Sequence, residues 1–125
     1  AHTSAAEALA DRKGVCQDFS HVFIACARHL AIPARYVTGY LLLESDEGAS
    51  QAHHAWAEAY AQDLGWVGVD VANEVCPTER YVRLACGLDA RSAAPVRGTR
   101  RGGENEARDV HVVVAENQTQ SQTQQ

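Results

Sequence analysis

A thiol, an imidazole and a carboxylate occur in the order Cys16, His54, Asp70; His54 follows Cys16 by 38 residues and Asp70 follows His54 by 16. Each residue type has a part in nucleophilic catalysis. A thiolate attacks, an imidazole moves the proton, and a carboxylate orients the imidazole. Cys16 stands just after Gly14, where a broken segment enters a helix. A thiol there feels the positive end of the helix dipole and the free N–H groups of the first turn, and both favour the thiolate. The same N–H groups are placed to stabilise an oxyanion beside the sulfur. The competing reading of Cys16 is a structural, buried cysteine, since free cysteine is among the most buried residue types.

The position of His54 follows from a predicted hairpin. From His54 to Tyr60, small alanines at 55, 57 and 59 alternate with His54, Trp56, Glu58 and Tyr60, a period of two that predicts a strand. Gln62, Asp63 and Gly65 mark a turn, and Trp66 to Val71 reads as the returning strand. Symmetric pairing about Gln62 sets Glu58 against Trp66, Trp56 against Gly68 and His54 against Asp70. Directly opposed side chains on one face have Cβ atoms about 4.5–5.5 Å apart. A one-residue slip would send Asp70 to the other face, and a solvated rim pair of little energetic weight is the competing reading. Trp56 and Trp66 either wall the cleft or cover a core. His53 points to the opposite face from His54.

Other elements supply the frame. Ala5 to Ala10 suggests a short helix. Phe19, Val22, Phe23, Cys26 and Leu30 form one helical stripe, so a helix begins near Val15 or Cys16 and stops before Pro33, with Cys26 in the core. Arg35 to Leu43 predicts a strand. Glu79 to Leu84 fits a helix or a strand, Pro95 to Gly103 a turn-rich loop, and Val110 to Val114 a last strand. Residues 115–125 carry a polar run that predicts a disordered tail. The class is α+β, with the Cys-bearing helix packed on an antiparallel sheet and residues 1–114 as one domain.

Composition narrows the function. The 125 residues carry 16 Asp plus Glu against 11 Lys plus Arg, a net charge of -5, which argues against a nucleic-acid partner. No apolar run approaches the roughly 18 residues of a membrane helix, so no membrane partner is expected. The chain has no Met, so Ala1 is not expected to be the start of translation. The four cysteines, Cys16, Cys26, Cys76 and Cys86, include no CxxC pair, so reduced thiols in a cytoplasmic protein are expected. His2, His21, His29, His53 and His111 lack zinc-ligand spacing, and no metal or cofactor is expected.

Three motifs in order, GVCQDFSHVFIACARHLAIPARYVTGYL (14–41), HAWAEAY (54–60) and GWVGVDVAN (65–73), with the later GLD (87–89) and PVRG (95–98), resemble the core of the bacterial transglutaminase-like cysteine protease family. The resemblance runs from about Ala5 to Val114. It implies a papain-like α+β fold and a catalytic triad of Cys16, His54 and Asp70. It also implies amide cleavage in a peptide or protein substrate through a thioester acyl-enzyme, with no cofactor. Transfer of the acyl group to an amine, as in a transglutaminase, uses the same triad and stays open. So does a non-catalytic binding domain that keeps the fold. Where the family has Asp-Pro-Thr, this chain has Asp70-Val71-Ala72. Full-length relatives carry a β-rich region ahead of the core, which this chain is expected to lack.

Overall fold

The structure is a computed structural model that describes residues 3–43, 50–99 and 101–103, with 50–52 as backbone. The chain opens with α1 (Ala5–Asp11). The Ser4 hydroxyl accepts the Glu7 N–H at 3.2 Å and the Glu7 carboxylate accepts the Ser4 N–H at 2.7 Å, so two unpaired donors of the first turn are satisfied reciprocally. Arg12, at φ 53, ends the helix. The second helix, α2 (Cys16–His29), begins where the sequence predicts. Val15 has no polar side chain with which to cap it, and Asp18 instead accepts the Val15 N–H at 2.9 Å. At the other end, Arg28 donates to the carbonyls of Ala34 and Leu88 at 3.0 and 2.9 Å, which ties α2 to the sheet.

Four antiparallel strands follow, β1 (Ala34–Leu43), β2 (Ser50–Ala61), β3 (Gly65–Val69) and β4 (Tyr81–Gly87), in the spatial order β3-β2-β1-β4. The segment that fitted helix or strand is therefore a strand. The fold is α+β, with two helices and a four-stranded sheet among the described residues. The expected strand at 110–114 and tail at 115–125 lie outside the described residues.

The buried face of α2 differs from the expected stripe. Ile24, Ala27, Ser20 and Asp18 are buried, whereas Cys26 is exposed and Leu30 is 68% exposed. Two elements share the helix surface. Phe19 and Val22 turn towards α1, where they line a small cavity with Ala8, Leu9 and Arg12. The sheet takes Ile24 and Ala27, against Ala34, Tyr36, Ala55 and Ala57, with Phe23 at the margin. Small residues on both sides, Ala27 on the helix and Ala34, Ala55 and Ala57 on the sheet, let the two approach closely. Ser20 is tolerated there because its hydroxyl donates to the Cys16 carbonyl at 2.7 Å.

The alternation in β2 has the predicted consequence. Ala55 and Ala57 belong to the helix-facing core, and His54, Trp56 and Glu58 point to the other face. The register differs. The pairs are Ala57 with Val69, Glu58 with Gly68, Ala59 with Val67 and Tyr60 with Trp66, two residues away from symmetry about Gln62. The turn centres on Asp63 instead, with Asp63 at φ 67 and Gly65 at φ 78. Asp and Gly are residue types that accept this left-handed backbone. A shift of two preserves the faces, so His54 and Asp70 share one face but are not directly opposed.

Candidate active site

β3 pairs with β2 only between Ala57 and Ala61. Beyond Ala57 no described residue pairs with β2 on that side, and the N-terminus of α2 comes against it. The half-buried Cys16 thiol lies there, within hydrogen-bonding reach of His54 and of the backbone N–H groups of Ala55 and Gln17. His54 is buried, and its Nε2 lies 2.6 Å from Asp70 Oδ2. With Nε2 engaged, Nδ1 is the ring nitrogen left for the sulfur. Asp70 has no solvent exposure. The structure thus brings together the three residues singled out in the sequence, with the imidazole between thiol and carboxylate.

The electrostatics follow from these contacts. The hydrogen bond with His54 lowers the Cys16 pKa against the opposing effect of burial. The Ala55 N–H, the imidazolium charge and the Gln17 N–H act in the same lowering direction. The hydrogen bond with Cys16 raises the His54 pKa, again against burial, with further help from Asp70. Burial alone would raise Asp70. Hydrogen bonds from Tyr81, Asn73 and His54 outweigh it and hold the carboxyl below its ordinary value. Thiolate, imidazolium and carboxylate are therefore the mutually supporting charge states. Behind the thiol, Tyr36 is buried and its hydroxyl is pushed upward by burial and by the charges of Cys16 and Asp18.

Two side chains of this site were not singled out in the sequence. Tyr81, the first residue of β4, donates to Asp70 Oδ2 at 2.6 Å, and Asn73 Nδ2 donates to the same oxygen at 2.8 Å. The Asn73 N–H also donates to Asp70 Oδ1 at 3.3 Å. The spacing of Asp70 and Asn73 suits an Asp side chain that bonds backbone in a following turn. Nothing local marks Tyr81.

Trp56 is buried and meets Tyr81 edge-on at 5.3 Å. Trp66 is exposed, packed on Tyr60 at 5.6 Å and under the Arg35 guanidinium at 4.0 Å. Both tryptophans line a cavity of about 460 Å³ on the face away from α2, with Glu58 and Arg83. Glu58 pairs with Arg35 and Arg83 at 2.7 and 3.1 Å. His53 lies 3.1 Å from the Thr38 hydroxyl, and His21 stacks on Tyr36 while its Nε2 accepts the Ala90 N–H. Among the described residues no three His, Cys, Asp or Glu side chains converge in a way that would hold a metal ion.

The sequence profile of the transglutaminase-like superfamily matches residues 1–71, a span that includes Cys16, His54 and Asp70. The chain belongs to the transglutaminase-like superfamily. It is 39% identical over 120 residues to an uncharacterized protein of Mycobacterium leprae, covering 90% of this chain and 40% of that protein. An uncharacterized protein of Mycobacterium tuberculosis is 37% identical over 122 residues, with 90% of this chain and 39% of that protein covered. The chain thus spans about two fifths of the length of these superfamily relatives. A crystal structure from Cytophaga hutchinsonii, named as a candidate cysteine protease, superposes with a TM-score of 0.61 at 41% identity, covering 74% of this chain and 30% of that one. Among the described residues no helix is long and apolar enough to cross a membrane.

Proposed function

We propose that this chain carries the catalytic core of a cysteine peptidase or amidase that cleaves peptide or side-chain amide bonds. Cys16 is the nucleophile, His54 the general base and acid, and Asp70 the group that orients His54. The observation that carries the reading is the placement of one buried imidazole between a thiol at a helix N-terminus and a buried carboxylate. The name of the Cytophaga relative supports the hydrolytic branch.

The Cys16 thiolate attacks the amide carbonyl carbon, forming an S–C bond and placing negative charge on the oxygen. The N–H groups at the start of α2 face this charge. His54 gives its proton to the amide nitrogen as the C–N bond breaks, and the amine leaves a thioester. His54 then takes a proton from water as the water oxygen attacks the thioester. The acid departs and the thiolate returns. If an amine replaces water at this second step, the product is a new amide, and the same residues perform acyl transfer.

The test is incubation of the protein with a library of peptide and glutamine-type amides, with and without an added primary amine, followed by product masses. Hydrolysis products that vanish in Cys16→Ala are the expected result. Products that carry the amine would assign acyl transfer. Absence of any Cys16-dependent product would favour a non-catalytic domain that keeps the fold.

A further inference from the structure

We propose that Tyr81 and Asn73 are positioning residues that act on the reacting groups through Asp70, holding in place the one carboxylate oxygen that faces His54. This rests on the assignment of Cys16 and His54 as nucleophile and base. Three donors converge on Asp70 Oδ2: His54 Nε2 at 2.6 Å, Tyr81 Oη at 2.6 Å and Asn73 Nδ2 at 2.8 Å. One oxygen thus takes most of the contacts of a side chain with no solvent exposure. Rotation of the carboxylate would break all three together.

The chain is built to deliver both donors. Asp70 leaves β3 and forms a two-bond bridge with Val75, at 2.8 and 3.2 Å, which closes a turn containing Asn73. Glu74, at φ 57, lies in this turn. Pro77 then packs against Gly68, where a Cβ would come within 3.0 Å of the proline ring. Three residues after Thr78 the chain enters β4 at Tyr81, which pairs with Leu41 of β1. Tyr81 reaches Asp70 from a strand that does not adjoin β2 or β3. Gly39 clears the way, because a Cβ there would meet the Trp56 ring at 2.6 Å and the Val82 carbonyl at 2.1 Å. Trp56 accordingly lies against β1 and meets the Tyr81 ring edge-on. The phenol is fixed on one side by Trp56 and at its tip by Asp70.

The consequence is chemical as well as geometric. A carboxylate removed from water favours its neutral form unless donors compensate. Among the described residues, the titratable groups against Asp70 are His54 from β2 and Tyr81 from β4. The Tyr81 hydroxyl, pushed up to about 12 by burial and by its bond to Asp70, stays a donor across the working range. With Tyr81 and Asn73 present, Asp70 stays ionised on acidification and keeps His54 protonated opposite the Cys16 thiolate. Without the Tyr81 hydroxyl, Asp70 takes up a proton at higher pH, and the thiolate–imidazolium pair is lost earlier as the pH falls.

The experiment is iodoacetamide labelling of Cys16 over a pH series in the full chain, read by peptide mass mapping, for the wild type, Tyr81→Phe, Asn73→Ala and each in an Asp70→Asn background. Tyr81→Phe keeps the ring against Trp56, and circular dichroism checks the fold. The expected result is an acid limb moved to higher pH by at most about one pH unit, because one hydrogen bond to a charged group sets the shift of Asp70 and Cys16 senses it through His54. The wild-type to variant rate ratio then grows as the pH falls. Asn73→Ala shifts the limb the same way, which keeps the proposal testable should Tyr81→Phe fail to fold. In the Asp70→Asn background neither variant has a further effect, because both act through that carboxylate. Superimposable profiles, or an equal loss with and without Asp70, would overturn the proposal while leaving the nucleophile assignment standing. Wild-type labelling that is indifferent to His54→Ala would overturn both.

Discussion

Cys16 and Cys26 lie on the same helix, ten residues apart, and the structure gives them opposite surroundings. Cys16 is the first residue of α2, half-buried, with an imidazole and two backbone N–H groups around its sulfur. Cys26 is exposed in the last turn. The lesson is that the influences lowering the Cys16 pKa come from what β2 presents to it and from the helix terminus, not from residue type or helix membership. Ala55 lies beyond the stretch of β2 that β3 covers, since β3 ends at Val69 opposite Ala57.

The largest way to break this contrast is to remove the imidazole. His54→Ala should slow alkylation of Cys16 below neutral pH by about tenfold or more, because the hydrogen bond that lowers the thiol pKa is removed. Cys26 labelling should not change. Next is Asp70→Asn. The fold should survive, as judged by circular dichroism, while turnover falls on the order of a hundredfold or more, because an amide can hold the wrong imidazole tautomer. Unchanged turnover in that variant would remove Asp70 from the mechanism.

A smaller effect is on stability. The folded-state pKa of Asp70 is depressed, so its contribution is present above the unfolded-state value of about 3.9 and is lost as the pH falls through the lower folded value. Acid unfolding of the wild type should therefore carry a component, in the range from about pH 4 downward, that is missing from Asp70→Asn. Parallel acid-unfolding curves would contradict the hydrogen-bonded carboxylate. The smallest effect belongs to Cys26→Ser. As an exposed substitution it should alter stability by no more than about 0.5 kcal/mol, and Cys16 labelling should be unaffected.

The sequence carried the placement of Cys16 at a helix start because Gly14 and Pro33 punctuate α2 at both ends. It carried the shared face of His54 and Asp70 because the period of two in β2 survives any even shift of register. The register itself was hidden in the turn, where left-handed Asp63 and Gly65 move the centre from Gln62. The core face of α2 was misjudged because hydrophobicity marks Phe19 and Val22 without saying that α1, and not the sheet, covers them. Burial of Ser20 in place of Cys26 depends on a hydroxyl-to-carbonyl bond that no hydropathy pattern records. Tyr81 was illegible for a different reason. Its contact with Asp70 arises from a strand that pairs with β1 and from the space left by Gly39, both of which are long-range facts.

The most direct test of the central claim is the pH dependence of Cys16 alkylation in the folded protein compared with the same cysteine in the urea-unfolded chain. Iodoacetamide labelling with peptide mass mapping follows both. The account predicts that folded Cys16 reacts faster than its unfolded counterpart at and below neutral pH, that its rate falls only on stronger acidification, and that His54→Ala abolishes the advantage. A folded Cys16 that labels no faster than in the unfolded chain, with no response to His54→Ala, would contradict it.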